Sequence, residues 1–240
     1  MDEKDLSLFL REVTVSASMD PAEVTTFGDN DREHIPGLRD GTLSFDGLFS
    51  ASTIAVDDIA NELDGGLGST SKRVFSIDYE RSTGGRAALM KADKTTYDVA
   101  APVSDVVSVA VDAQASDGYR GGRMLRPLSA STSTGSNTGV ATPGTTAAGG
   151  TTGGGVAHLH VTAVSSTFGS ATFKVQHSTS GSTWADLISF TAATAATFQR
   201  STVSGTVKER VRSTISTFTL STLATTVTAA VAFARQTGRT

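Results

Sequence analysis

Thr25–Phe49, TTFGDNDREHIPGLRDGTLSFDGLF, opens as a polar run with a glycine and several acids and closes in an apolar/polar alternation. The polar half argues against a helix. A Pro-Gly pair locks one φ and frees the next, so Ile35-Pro36-Gly37 reads as a turn. Leu43 and Phe45, followed by Gly47 and Leu48-Phe49, read as a strand at about 41–49. The stretch is thus a long polar loop feeding a strand, and it holds no catalytic constellation.

On its N-terminal side, Leu6, Leu8 and Leu10 alternate, then Val13, Val15 and Ala17 alternate out of phase with them. This predicts two strands, or one strand bulged after Leu10. Asp20-Pro21 ends it, because proline cannot donate to a ladder. On the other side, residues 52–63 form the one helical pattern: Ser52 or Thr53 can cap it, Val56, Ile59, Ala60 and Leu63 share a face, and Gly65-Gly66 stops it. Beyond it, Phe75, Ile77 and Tyr79 alternate with Ser76, Asp78 and Glu80, which predicts a strand with one wet, acidic face. Gly84-Gly85 reads as a hairpin turn, and strands follow at about 86–100 and from Val107 to Ala113.

From Ser129 to Gly155 the chain is almost wholly Ser, Thr, Gly, Ala and Asn, which predicts a flexible linker or a long loop and a domain boundary. Strand patterns then resume at Leu159–Ala163, Phe173–Val175, Leu187–Phe190, Val203–Val211 and Val227–Phe233, with turns at Ser180-Gly181 and Ser204-Gly205. Short strands this dense predict an Ig-like or jelly-roll-like β-sandwich. The expected organisation is therefore mainly β: residues 1–128 as one β domain with a flanking α-helix, 129–155 as linker, and 156–240 as a second β-sandwich. Trp184, the only tryptophan, is expected at one end of that second core.

The 240 residues include no cysteine, which excludes a disulfide framework and thiolate chemistry. Residues 1–130 carry 22 Asp/Glu against 13 Lys/Arg, a net −9, whereas 131–240 carry 2 against 7, a net +5. An acidic first half repels nucleic acid rather than binding it. MDEKDLSLFLREV lacks the basic and apolar regions of a secretory signal, and no run reaches the ~18–20 apolar residues of a membrane helix. The expectation is a soluble chain that folds in a cytoplasm.

Few groupings could carry chemistry. His158 and His160 share one strand face, and with His177 nearby a three-His metal site is geometrically possible; exposed strand histidines are the alternative. Asp57-Asp58 lie off the helix stripe and read as solvated acids. The glycine-rich pieces at 63–72 and 149–155 lack the spacing of a phosphate loop, and no serine sits in a G-x-S-x-G elbow. Ser180–Trp184 reads as a loop in which Trp184 is either core or a platform for a surface ligand such as a glycan. No cofactor is expected and no enzyme.

The segment Thr25–Phe49, the segment GGRAALMKADKTTYDVAAPVSDVVSVAVDAQASDGYRGG at 84–122, the run Phe173–Leu187, VSGTVKERVRSTIS at 203–216 and AVAFAR at 230–235 together resemble the major tail tube proteins of long-tailed, siphovirus-type bacteriophages. The resemblance covers most of the chain outside 129–155 and consists of phrases rather than a catalytic motif. It implies a tube domain of two packed β-sheets with a flanking helix, hexameric rings stacked into a tube, and a C-terminal domain decorating the outside. It further implies a structural virion protein, made in the host cytoplasm, whose partners are its own copies, a tape measure protein and tail tip and terminator proteins. DNA would pass through an acidic lumen without specific binding, and no membrane is involved.

On that resemblance Thr25, Thr26, Phe27, Asp29, Asp31, Arg32, His34 and Arg39 are candidates for an inter-subunit loop. Asp78, Glu80 and Asp112 are candidates for the lumen, since repelling phosphates requires carboxylates that point into the channel. Two readings compete with a tube subunit: a two-domain β module binding a glycan or host surface through Trp184, and a capsid decoration protein.

Overall fold

The computed structural model describes residues 5–26, 30–49, 72–103, 106–141, 153–220 and 225–236. All regular structure among them is strand, and the ladders run antiparallel, so the fold is mainly β as expected. The helix expected at 52–63 lies outside the described residues. In chain order the strands are β1 (Leu10–Glu23), β2 (His34–Leu48), β3 (Arg73–Asp78), β4 (Arg86–Ala100), β5 (Ser108–Ala115), β6 (Arg120–Ser131) and β7 (Gly135–Ser136). They continue as β8 (Val140–Ala141), β9 (Gly155–Val164), β10 (Phe168–Ser178), β11 (Ala185–Ser189), β12 (Thr197–Val203), β13 (Arg210–Leu220) and β14 (Val227–Arg235).

These strands group into two compact units. A hairpin unit spans Leu6–Arg73 and Met90–Tyr119; a sandwich unit takes Val74–Leu89 and Arg120–Thr240 together with Met1–Asp5. The grouping differs from the sequential division 1–128, 129–155 and 156–240. Ser129–Ser131 continue β6 against β14, while Gly135–Ser136 and Val140–Ala141 both pair with β13. Backbone ladders hold these small polar residues, a contribution that their side-chain composition does not reveal.

In the sandwich unit one sheet runs β6-β14-β9-β12, with the start of β4 on the other side of β6 and β3 paired to β4. The second sheet runs β11-β10-β13, with β7 and β8 also on β13. Period-two alternation sends Leu159 and Val161 of β9 and Val231 and Phe233 of β14 into a core shared with Phe173 and Val175 of β10 and Val211 and Ile215 of β13. The other faces of β9 and β14 are buried as well. There Ala230, Ala232 and Ala234 of β14 pack with Met124 of β6 and with Ala87 and Leu89 of β4. Small side chains on that face let the covering strands approach closely.

The run Val203–Val211, expected as one strand, is instead the end of β12, a connection with Gly205 at φ 89°, and the start of β13. Sequence patterning underrates β12 and β13 because Ser, Thr, Gln and Arg fill most of their positions. Ladder hydrogen bonds carry them, and Val211 and Ile215 suffice to mark the inward face.

In the hairpin unit the order is β1-β2-β5-β4. Leu43 and Phe45 of β2, Val109 and Val111 of β5, and Met90 and Ala92 of β4 are its buried residues of note. Asp20-Pro21 does not end β1, and Ile35-Pro36-Gly37 is not a turn: Pro21 stands opposite Pro36 inside the β1–β2 ladder, beside a register shift at Met19/Pro21. Each proline removes a donor where the ladder is already irregular, so pairing resumes beyond them with Ala22 opposite Ile35 and Glu23 opposite His34. Strand β2 therefore begins at His34, well before the 41–49 expected.

Phe173 is fully buried at the centre of the sandwich core. Phe173→Ala is expected to lower unfolding free energy in urea by about 3–5 kcal/mol, through lost transfer energy and an unfilled cavity. An unchanged urea midpoint would show that the core is not packed around this ring.

Candidate assembly surface

Strand β5 pairs with β2 only over Thr42–Leu48. The β1–β2 ladder continues past that point, from Ala17 opposite Gly41 to Glu23 opposite His34. Among the described residues this outer part is a two-stranded arm, closed by Val24 N–H donating to the Glu33 carbonyl (2.9 Å) and Glu33 N–H donating to Thr25 Oγ1 (3.0 Å). A Cβ on Gly37 would collide with the Asp20 carbonyl oxygen, so the strands close here only with glycine at that position. The arm exposes large apolar side chains: Leu38 is 77% exposed, Ile35 49% and Met19 43%. A two-stranded ribbon is at best marginally stable in water, and the large apolar side chains on this one are open to solvent.

The loop candidates fall on this arm. Thr25 closes its outer end, Thr26, Asp31 and Arg32 lie beyond that closure, His34 begins β2, and Arg39 pairs with Met19. Phe27 and Asp29 lie outside the described residues. From His34 to Arg39 the segment is thus one strand of a hairpin, while the described residues between Thr25 and Glu33 carry no strand.

The sheet of the hairpin unit has a second distinctive face. Residues opposite one another in a ladder point the same way, so Glu12, Asp46, Ala110 and Asp98 line up across four strands, as do Thr14, Ser44, Asp112 and Thr96. Asp40 lies on this face too, reached by the Gln114 amide. These five carboxylates share one face opposite the apolar one of Leu43, Phe45, Val109 and Val111, and Asp93, opposite Gln114, joins them as the partner of Lys72 (3.3 Å). Ser44 Oγ donates to Asp112 Oδ1 at 2.6 Å, and Arg11 Nε lies 4.0 Å from Asp46 Oδ2.

The lumen candidates fall in different units. Asp112 belongs to the acidic face, whereas Asp78 and Glu80 sit in the sandwich unit at the β3–β4 turn. Asp78 Oδ1 accepts the main-chain N–H groups of Glu80 (3.1 Å) and Arg81 (2.8 Å), which holds Arg81 at φ 50°. Glu80 pairs with Arg86 at 3.1 Å, and this hydrogen bond holds its carboxyl below the usual range. Sequence alone does not single out Glu12, Asp40, Asp46 and Asp98, because only the register aligns them with Asp112.

Trp184 stands apart from the sandwich core cluster and is half-buried. The Arg212 guanidinium lies 4.3 Å from its ring centroid, its Nε1 donates to the Gly181 carbonyl (2.9 Å), and a Cβ on Gly139 would come within 2.5 Å of it. Arg212 is itself oriented by Gln176 (2.9 Å). The ring is thus stacked within its own unit. His158 and His160 do share a strand face, but they are buried rather than exposed, because β3 covers them. His177 is engaged elsewhere: Lys208 N–H donates to its Nδ1 (3.3 Å), and burial, then Lys208 and Arg235, push its pKa down. Among the described residues no group of three or more His, Cys, Asp or Glu could hold a metal ion.

No protein-family model matches the chain, and no curated protein matches it. Several solved chains show partial likeness, three of them as follows. One is the tail of an empty gene transfer agent particle, refined with helical C6 symmetry, at 17% identity and TM-score 0.39 over 46% of this chain and 80% of that one. The native gene transfer agent virion gives 19% and 0.39 over 46% and 82%. The Dit protein of SPP1, described as a hub adsorption apparatus of phages infecting Gram-positive bacteria, gives 7% and 0.34 over 96% and 94%. Likeness at these TM-scores does not establish a shared fold.

Glu12 directly opposite Asp46 is a like-charge cross-strand pair, a small internal cost. Glu12→Gln is expected to raise stability by about 0.2–1 kcal/mol at low salt, with the gain shrinking in 1 M salt as screening replaces it. Loss of stability in Glu12→Gln at low salt would mean that the two carboxylates do not repel each other.

Proposed function

We propose that this chain is a structural subunit of a bacteriophage tail, specifically the major tail tube protein, with no chemistry of its own. The observation that supports this reading best is the β1–β2 arm, an extended hairpin with Met19, Ile35 and Leu38 exposed and little of its own to pack against. In a monomer such an arm is an aggregation hazard; in a polymer it is buried by the next copy. The sequence resemblance supplies the assembly: six-membered rings stacked into a tube, with the arm clasping a neighbouring subunit.

The acidic face supports the second half of the reading. Glu12, Asp40, Asp46, Asp98 and Asp112 present carboxylates on one wet sheet face, and a lumen lined by them repels DNA phosphates and lets the duplex slide. In this proposal Asp112 keeps its assignment, and its four neighbours in register join it as lumen residues. Trp184, on which the glycan-binding alternative rests, stacks on Arg212 and is half-buried, and in this proposal its role is internal to the sandwich unit.

The test replaces Ala22–Ile35 with a two-residue Asn-Gly turn, which shortens the arm without touching the ladder to β5. The subunit should stay folded and soluble, with an unchanged circular dichroism spectrum, yet form no tubes by negative-stain microscopy under conditions where the parent chain does. Tubes of normal length from the shortened chain would overturn the clasp. A parent chain that forms no ring or tube even beside its tail-initiating partners would overturn the tube assignment itself.

A further inference from the structure

The wet-looking side of β9 holds a buried polar cluster that an assembly role does not use. His158 is 1% exposed and His160 8%, and both rings turn toward one hydroxyl, that of Ser76 on β3. Ser76 Oγ lies 3.1 Å from His158 Nδ1 and 2.8 Å from His160 Nε2. A hydroxyl has one proton to give, so with both rings neutral one imidazole accepts from Ser76 and the other donates to it. This pair of hydrogen bonds ties β3 to β9, although β3 has no ladder with β9 and is paired to β4 alone. Beside the tie, Ala87 and Leu89 of β4 cover Ala230, Ala232 and Ala234 of β14.

The charges around His158 come from several elements. Arg200 of β12 is its direct cross-strand partner, and His160 lies two residues along its own strand with the rings 6.1 Å apart. From β14 the facing residues are Ala230 and Ala232, which are neutral. Strand β3 brings Asp78, two residues from Ser76, but that carboxylate caps the β3–β4 turn. A proton on His158 therefore arrives next to a second imidazole and opposite a guanidinium, in a site closed to water.

We propose that β3 and the start of β4 form an acid-released latch over the alanine face of β14, held by the β4–β6 ladder at Arg86–Leu89 together with the Ser76–His158–His160 tie, and loosened when His158 takes up a proton. Burial first, and then His160, push the His158 pKa down to about 3, against the opposing effect of a hydrogen bond to the Phe75 main chain. Released, the ring titrates near its ordinary value of about 6.5. The latched state thus carries the neutral ring and the opened state the protonated one, so the latch is fully held above about pH 6.5 and weakens as pH falls toward 3. The weakening is about tenfold in the opening equilibrium per pH unit across that window. Opening uncovers the apolar side chains of Met124, Ala230, Ala232 and Ala234.

Hydrogen exchange of the full chain, followed by mass spectrometry between pH 7 and 5 and corrected for intrinsic rates, tests this. Peptides from 73–89 should gain exchange by about tenfold per pH unit below 6.5, while β10 and β13 stay protected. In His158→Gln, which keeps a hydrogen-bonding side chain but cannot titrate, the pH dependence of 73–89 should vanish. An equal rise in His158→Gln, a uniform rise across all strands, or no rise would each overturn the latch. Should His158→Gln fail to fold, NMR of the parent chain decides: the His158 ring must titrate with the same midpoint as the opening of 73–89, and separate midpoints overturn the proposal.

Discussion

The double-sided burial of β9 and β14 is the constraint on which the sandwich unit depends. Each strand turns Leu159, Val161, Val231 and Phe233 toward the core and a second set of side chains toward β3 and β4. A strand covered on both faces tolerates neither bulk nor an unpaired polar group on the second face. β14 meets the first demand with alanines, and β9 meets the second by joining both histidines to one serine. Close packing has a further local consequence at Gly155, where a Cβ would come within 2.4 Å of the Phe233 ring carbons. The ring sits over the β9 backbone, and only glycine leaves it room.

The fold class was legible because alternation survives wherever apolar residues mark it, as in Leu159/Val161, Phe173/Val175 and Leu43/Phe45. It faded where Ser and Thr fill both faces of a strand. In β13 the inward positions include Ser213 as well as Val211 and Ile215, and Arg126 donates to that serine from across the sandwich at 3.4 Å. A periodicity count scores Ser213 as polar and therefore outward. The proline signals failed for a related reason. Asp20-Pro21 and Ile35-Pro36-Gly37 each resemble a chain reversal when taken alone, and only their position opposite each other shows that they interrupt one ladder together.

The candidate surfaces show the same limit. The arm residues from Thr25 to Arg39 were close together in sequence and could be named from it, but their form could not, because a hairpin is a relation between that segment and Ala17–Glu23. The acidic face is further from legibility. Its carboxylates come from four strands and meet only through register, so sequence yielded Asp112 and missed the four beside it. Asp78 and Glu80 shared Asp112's apparent pattern, an acid on a wet strand position. Their hydrogen bonds to the Arg81 main chain and the Arg86 side chain make them part of a turn. Alternation identifies the outward positions of a strand, and partners decide what those positions do.

The two units handle exposed edges in opposite ways, and this bears on how each can act. In the sandwich unit the short strands β7 and β8 both lie along β13, and the terminal strands β11 and β12 are only five and seven residues long, so the unpaired edges there are short. In the hairpin unit β1 runs for 14 residues with β2 as its single ladder partner among the described residues. Its irregularities at Leu10/Glu12 and Met19/Pro21 break the regular row of donors that an arbitrary strand would need for pairing. An edge blunted in this way resists indiscriminate β-addition, yet it leaves Met19, Ile35 and Leu38 exposed. The arm therefore offers exposed apolar side chains rather than a bare strand edge, and this follows from two prolines and a bulge. In the tube assembly proposed above, that selectivity is what separates ordered assembly from aggregation.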